Sequence, residues 1–425
     1  MTARRLLVVS HCYPPMPSVG GNRWAAMVKY LRVLGHDVTV VTTAGFGSVP
    51  REAGVVRTGD VMANAKVRKL LRAPSLPTTD GRGGIENAPS RLLAGLIVPD
   101  AQLVSWTPGA LRATRQLLRA REIDCLITTS PPESTHLIGL ALGRTRPAWL
   151  ADFRDGWMFE PWRPEPLTPI HGRLDMLLER EVVTRSDAIT VVATALAEDF
   201  HERFGVDAAH LPGGWDPELW GGAEEATAAQ AGNGRFTFVY TGKLWGPPGR
   251  DPSVLFEAFR RLLRREPDLR RRVEFIVAGP LDREQARRLQ QFALDGIVSH
   301  VGHLPRLETL ALQRRAHALV LVTSGNRSNV TGKIWEYLAS DRPILALAQD
   351  NEAAWLIDET RTGIAVPPDD VDAIEAALGR MIRNDLAGVY SPRNIEAYAY
   401  PRPALQAARL IERAIARRHR TSARS

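Results

Sequence analysis

Cysteine is scarce in this chain, with Cys12 and Cys125 the two examples in 425 residues. Two thiols this far apart supply neither a disulfide framework nor a CxxC metal site. Both fall near the ends of expected strands, where a small buried hydrophobe is the simplest role. Long apolar runs are also missing: nothing reaches the ~18 residues a membrane-spanning helix needs. The first apolar run, Leu6-Leu-Val-Val9, is cut off at once by Ser10, His11 and Pro14. It is too short for a secretory leader and reads as a strand, so a cytoplasmic protein is expected. Motifs of the HExxH, P-loop and GxSxG types do not occur, which removes the commonest metalloprotease, NTPase and serine-hydrolase readings.

Lysine is rare as well, with five in the chain, so the net charge of +8 is carried by arginine. Its placement matters more than its size. Residues 409 to 425 hold six Arg against Glu412, a net +5, which leaves +3 for all the rest. No zinc-finger spacing or basic reading helix accompanies the charge, so nucleic acid is not an expected partner. A basic tail that could touch anionic lipid is the better reading, giving peripheral contact with the inner membrane face. Lys66-Val-Arg-Lys-Leu-Leu-Arg72 interleaves cations with apolar residues and could do the same, or could pack as an ordinary surface helix.

The length suits two domains of about 200 residues. Short apolar runs alternate with helical patterns, the signature of parallel α/β architecture. Strands are expected at 6–10, 38–42, 125–128, 148–152 and 188–192, with helices at 20–34, 134–143, 173–186 and 194–204. Residues 50–110, rich in Gly, Pro and Arg, break the rhythm as an irregular excursion. A second alternation places strands at 236–241, 273–278, 318–322, 343–347 and 363–366. The division expected is therefore 1–220, a linker at 221–234, a second domain at 235–400, and a helix with basic tail at 401–425. Two doubly wound sheets would aim the carboxyl ends of their strands at a central cleft.

The strongest local signal is Ser328-Asn-Val-Thr-Gly-Lys-Ile-Trp-Glu-Tyr-Leu-Ala-Ser-Asp-Arg-Pro343. A polar loop meets an apolar helical pattern there, so Ser328, Asn329 or Thr331 is expected to cap a helix. Gly332 would let a ligand approach the backbone, and free N–H groups with Lys333 suit a diphosphate. Glu336 lies on nearly the same helix face and could accept hydrogen bonds from two ribose hydroxyls, or could pair with Lys333. Asp370-Val-Asp372 opens another helical pattern after two prolines and reads as an N-cap rather than a metal site. No metal or cofactor is expected.

The pattern Gly332-Lys333-x-x-Glu336-Tyr-Leu-Ala339-x-x-Arg342-Pro-Ile-Leu345 resembles the donor-binding helix of family 4 glycosyltransferases. Other segments resemble that family in the expected order: His11-Cys-Tyr-Pro-Pro15 with Gly20-Gly21, Gly35-His36-Asp37-Val38, Thr129-Ser-Pro-Pro132 with Ser134-Thr-His136, Asp152-Phe-Arg-Asp155, and Tyr240-Thr-Gly242-Lys243. The later ones resemble a bacterial branch acting in polysaccharide, glycolipid or natural-product assembly. The resemblance implies the GT-B fold of two Rossmann-like domains. It also implies a nucleoside-diphosphate-sugar donor, a hydroxyl acceptor and transfer with retention. By resemblance Lys243 and Arg250 clamp the diphosphate, Glu336 holds the ribose and His136 contacts the transferred sugar. Gly20 and Gly21 would admit donor or acceptor to the backbone. Asp152, Arg154 and Asp155 are expected to line the cleft, or to satisfy one another as an ion-pair cluster.

One position departs from the family. Where many members carry Glu eight residues before the ribose-binding Glu, this chain has Ser328. That leaves the sugar unnamed and suggests a second reading, a non-catalytic sugar-nucleotide- or partner-binding subunit; a nucleotide-sugar 2-epimerase, which shares the fold, is a third.

Overall fold

The computed structural model describes residues 2–16, 18–45, 52–61, 96–161, 166–227, 234–246, 250–292, 294–323 and 325–422. The chain forms two compact units, one of residues 1–213 with 400–425, the other of 214–399.

Among the described residues unit 1 is built on seven strands: β1 (Arg5–Ser10), β2 (Asp37–Thr43), β3 (Val55–Thr58), β4 (Cys125–Ser130), β5 (Ala148–Phe153), β6 (Ala188–Val191) and β7 (Ala209–His210). They pair in the order β3-β2-β1-β4-β5-β6-β7, parallel throughout. Alternate side chains of β1 feed two separate cores, which is why the whole strand reads as one apolar run. Leu6 and Val8 meet helix α1 (Val19–Val33) through Trp24, Met27, Val28 and Leu31. Leu7 and Val9 face the side covered by α2 (Thr107–Ala120), α3 (Ser134–Leu142), α4 (Pro169–Arg185) and α5 (Thr194–Phe204).

The face of α1 is completed from far along the chain. The C-terminal helix (Arg402–Ser422) buries Ala404, Ala407, Ala408, Ile411, Ala414 and Ile415 there. These recur every three to four residues, and the alanines let the helix approach the sheet closely. Arg4 grips Glu412 with two bonds of 2.8 Å, and Tyr400 stacks on Tyr30 with ring centroids 5.1 Å apart.

Unit 2 repeats the plan with β8 (Phe236–Thr241), β9 (Val273–Ala278), β10 (Val298–Gly302), β11 (Ala318–Val322), β12 (Ile344–Leu347) and β13 (Gly363–Val366). The order is β10-β9-β8-β11-β12-β13, again all parallel. Its longer helices among the described residues are α6 (Pro217–Thr227), α7 (Ser253–Arg265), α8 (Arg283–Gln291), α9 (Arg306–Arg315), α10 (Lys333–Ala339), α11 (Glu352–Thr360) and α12 (Val371–Ile382). In β11, Val320 and Val322 face the core of α7 and α12, while Leu319 and Leu321 face α9, α10 and α11. Asp370 caps α12 by accepting from the Ala373 N–H at 2.9 Å, the role its sequence suggests.

Two differences from the sequence expectation concern boundaries. The units divide at Gly213/Gly214, and part of the expected linker is helix α6. Ala and Glu, which gave that segment its linker look, are strong helix formers. The side chain that anchors α6, Trp220, packs on Leu310 just ahead of the low-complexity window. Strands β3, β7 and β10 were not anticipated. All three lie at or next to a sheet edge, where a strand need not be apolar on both faces. The basic run Lys66–Arg72 lies outside the described residues.

Candidate functional site

In each sheet the strand order reverses at one point, between β1 and β4 in unit 1 and between β8 and β11 in unit 2. Crevices for ligands form beyond the carboxyl ends of the strands at such points. The expected site residues fall at these two places and are taken in turn.

Beyond β8 the chain turns at Gly242, whose φ of +94° disfavours any side chain. An added Cβ there would stand 2.6 Å from Lys333 Cε and 3.3 Å from its Nζ. Lys333 therefore arches over the glycine, its ammonium 5.3 Å from the centroid of the Tyr240 ring. The Tyr240 hydroxyl donates to the Lys243 carbonyl at 2.7 Å and fixes the turn, while the Lys243 side chain stays exposed. Helix α10 is locked to β8 because the buried Tyr337 hydroxyl accepts the Thr241 N–H at 3.1 Å.

Glu336 does not pair with Lys333. Its Oε1 accepts from Arg306 Nη1 at 2.6 Å and its Oε2 from Gln313 Nε2 at 3.2 Å. Gln313 also donates to Thr241 Oγ1 at 3.0 Å and ties the carboxylate to the end of β8. Sequence reasoning missed both partners, which lie two turns apart on α9. Neither belongs to a recognisable motif; their role appears only when α9 packs beside α10.

The expected cap of α10 is corrected. This helix has seven residues, Gly332 is its N-cap residue, and no side chain caps it. Ser328 Oγ accepts instead from Asn326 Nδ2 at 2.9 Å, and Thr331 Oγ1 is buried without a hydrogen-bond partner. The Thr331 carbonyl takes the Ile334 N–H at 3.1 Å, a turn that leaves the hydroxyl no role in the cap. Arg250 lies with its guanidinium against the Gly246 backbone, Nη2 donating to the Trp245 carbonyl at 3.5 Å. The structure thus brings Gly242, Lys243, Lys333 and Glu336 together at the β8 end.

In unit 1, Ser18 caps α1 by accepting the Gly21 N–H at 3.4 Å. A Cβ on Gly20 would collide with the Arg154 guanidinium, and one on Gly21 would sit 3.2 Å from the Cys12 carbonyl. The glycines are thus accounted for by close packing of protein on protein. Arg154 is half-buried and stands 4.0 Å from Asp155.

Two expectations are overturned here. Asp152 does not line a crevice; it is fully buried at the end of β5. It accepts from Arg23 Nη1 (2.8 Å) and Nη2 (3.2 Å), Trp24 Nε1 (2.7 Å), Thr129 Oγ1 (2.8 Å) and Thr190 Oγ1 (2.7 Å). Burial alone would raise its pKa, but the Arg23 charge and these donors hold it below the usual aspartate range. It is a structural tie between α1 and three strands. His136 is likewise fully buried, 4.4 Å from the Phe153 ring, and burial pushes its imidazole down to about 3. Thr128 Oγ1 accepts from Trp149 Nε1 at 2.8 Å and shares a 2.7 Å hydrogen bond with His136 Nδ1. The other ring nitrogen, Nε2, is buried with no hydrogen-bond partner. The ring presents no surface to solvent.

A cluster that the sequence reading passed over lies beneath the same loop. His11 Nε2 and Asp60 Oδ2 are 2.9 Å apart, and His11 Nδ1 is 3.9 Å from the Cys12 thiol. Burial would lower this imidazole, yet the Asp60 hydrogen bond and the thiol raise it to about 9. The clue lay in adjacent His11 and Cys12, but Asp60 sits in the excursion where no pattern guides the eye. Among the described residues no group of three or more His, Cys, Asp or Glu is placed to hold a metal ion. No helix among them is long and apolar enough to cross a membrane.

Comparison with known proteins agrees with this division. Residues 20–212 match the model of the glycosyl transferase 4-like domain, and residues 235–384 that of glycosyl transferases group 1. The structure is similar to sucrose-phosphate synthase from Thermosynechococcus elongatus (TM-score 0.66, 15% identity, 97% of this chain and 99% of that one). It also resembles a UDP-forming α,α-trehalose-phosphate synthase from Burkholderia xenovorans (TM-score 0.61, 16% identity, 99% and 98%). A putative UDP-N-acetylglucosamine 2-epimerase from Listeria monocytogenes is similar too (TM-score 0.52, 12% identity, 97% and 96%). No curated protein matches by sequence. Two doubly wound parallel sheets with these neighbours define the GT-B fold. The two family matches go further than the fold: the chain belongs to the family 4-like glycosyltransferases.

Proposed function

We propose that this glycosyltransferase holds a nucleoside diphosphate sugar at the β8 end of unit 2 and passes the sugar, with retention, to a hydroxyl acceptor bound by unit 1. The observation that carries the reading is the cluster at Gly242. Lys333 is draped over a glycine, Lys243 is exposed beside it, and a carboxylate lies one helical turn away. Two cations close to one backbone turn suit a diphosphate. Glu336, freed from Arg306, suits a pair of ribose hydroxyls.

As the bond from the anomeric carbon to the phosphate oxygen breaks, the diphosphate gains negative charge. Lys243 and Lys333 then stabilise the transition state more than the ground state. The acceptor oxygen forms the new bond on the same face, and its proton passes to a phosphate oxygen of the departing diphosphate. This route needs no strong protein base, which agrees with the burial of His136 and Asp152. The proposed setting is assembly of a polysaccharide, glycolipid or natural product.

The test is a thermal-shift screen across UDP-, GDP-, ADP- and TDP-sugars, since a donor that binds the folded protein raises its melting temperature. Calorimetry on Glu336→Ala follows with the best donor. The reading predicts one preferred donor and a binding loss of at least about tenfold. Unchanged affinity in that variant removes the ribose assignment. An epimerised nucleotide sugar made without acceptor replaces transfer with epimerisation.

A further inference from the structure

Helix α4 (Pro169–Arg185) packs Leu178, Val182 and Val183 on the core, but elsewhere its polarity is reversed for a helix on a water-facing surface. Its inward face carries carboxylates: Asp175 accepts from Trp157 Nε1 at 2.7 Å, and Glu179 from Met158 N at 3.1 Å and Arg203 Nη1 at 2.6 Å. Its outward face carries Ile170 (74% exposed), Leu174 (44%), Met176 (49%) and Leu177 (52%), with Leu167 (40%) just before the helix. An ordinary surface helix has the opposite polarity. Scattered exposed leucines need no explanation, whereas a contiguous apolar stripe marks an interaction surface.

Among the described residues, the charges beside the stripe that lack an ion-pair partner are of one sign. Arg173 and Arg180, seven residues apart, flank Leu177 and form no ion pair among the described residues. The third carboxylate of the helix, Glu181, is already engaged by Arg185 at 2.6 Å. Arg173, Leu177, Arg180, Arg203 and Phe204 line a shallow groove of about 540 Å³ beside the helix. Apolar side chains that seek a non-aqueous phase, next to unpaired guanidinium groups, match the layering of an anionic bilayer surface.

We propose that this face of α4 rests on an anionic lipid bilayer, with Ile170, Leu174 and Leu177 among the acyl chains and Arg173 and Arg180 at the headgroup phosphates. A second copy fits less well. A two-fold contact through this stripe would set the same arginines of both copies close together.

The experiment is vesicle co-sedimentation of the full chain with phosphatidylglycerol–phosphatidylcholine mixtures and with phosphatidylcholine alone, at low and at physiological salt. The expected result is binding to the anionic vesicles that weakens with salt and is about tenfold lower in Arg173→Glu/Arg180→Glu and in Leu174→Glu/Leu177→Glu. All four positions are exposed, so both variants should keep the melting temperature of the parent chain, which excludes misfolding as the cause. Three results overturn the proposal: no binding to anionic vesicles, equal binding by parent and variants, or concentration-dependent dimers in sedimentation velocity that Leu174→Glu/Leu177→Glu abolishes. The last assigns the stripe to a second copy. Vesicle binding is read without any sugar donor, so its failure leaves the proposed transfer reaction untouched.

Discussion

Replacing Asp152 with Asn is the sharpest test of how unit 1 is held together. The carboxylate is fully buried and accepts five hydrogen bonds, two of them from an Arg23 side chain only 7% exposed. Asn keeps the shape, but it removes the charge that balances Arg23 and turns one acceptor oxygen into an NH2 group facing donors. Breaking a buried pair by removing one partner costs about 3–5 kcal/mol, mostly because the other charge is left uncompensated. For a unit of this size each kcal/mol lowers the melting temperature by about 2–4 °C, so a fall of roughly 10 °C is expected. The assay is calorimetry, with Arg23→Ala and the double variant completing a cycle. The double variant should cost clearly less than the two single losses added together.

The pH dependence has a defined sign. The folded pKa of Asp152 lies below its ordinary 3.8, so its stabilisation is complete above that value and is lost as pH falls through the folded value. Asp152→Asn should therefore lose this part of the acid limb. At temperatures where it remains folded it should turn over normally, since Asp152 is fully buried and its hydrogen bonds go to protein groups. A loss below about 1 kcal/mol, or a collapse of turnover with stability intact, would refute the structural role.

Arg306→Ala should free Glu336 for the donor. The pair is partly exposed, with Arg306 at 47%, so the gain is modest, about two- to fivefold tighter donor binding in calorimetry. Weaker binding instead would mean that Arg306 itself holds the donor. Gly242→Ala must adopt a φ of +94° and push Lys333 aside, so unit 2 should lose about 1–2 kcal/mol in urea unfolding and donor affinity should fall. Unchanged stability and affinity together would show that the turn is not strained and Lys333 not needed there.

Much of the fold was legible because its strands are buried on both faces. Phe236–Thr241, Val273–Ala278, Ala318–Val322 and Gly363–Val366 fall where short apolar runs put them. β10, with Ser299 and His300, is largely exposed and carries no such run. At the site, the Lys333 and Glu336 spacing was readable on one helix, but Arg306 and Gln313 arrive from another element, and a single sequence does not show that contact. Asp152 misled for a related reason. Charge at the carboxyl end of a strand reads as a ligand-facing group, and only the positions of Arg23, Trp24, Thr129 and Thr190 reveal that it is fully satisfied inside.

The C-terminal helix has a consequence for synthesis on the ribosome. Strands β1–β7 emerge first, yet the side of their sheet that includes Leu6 and Val8 is not closed until residues 400–422 appear, after all of unit 2 has been made. During that interval unit 1 must wait with an apolar face open, a target for chaperones and for misassembly. A nascent chain stopped anywhere in 214–399 would have α1 on that face but not the apolar stripe of residues 404–415, and so would be more open to degradation. Closure of unit 1 by this helix thus follows synthesis of all of unit 2.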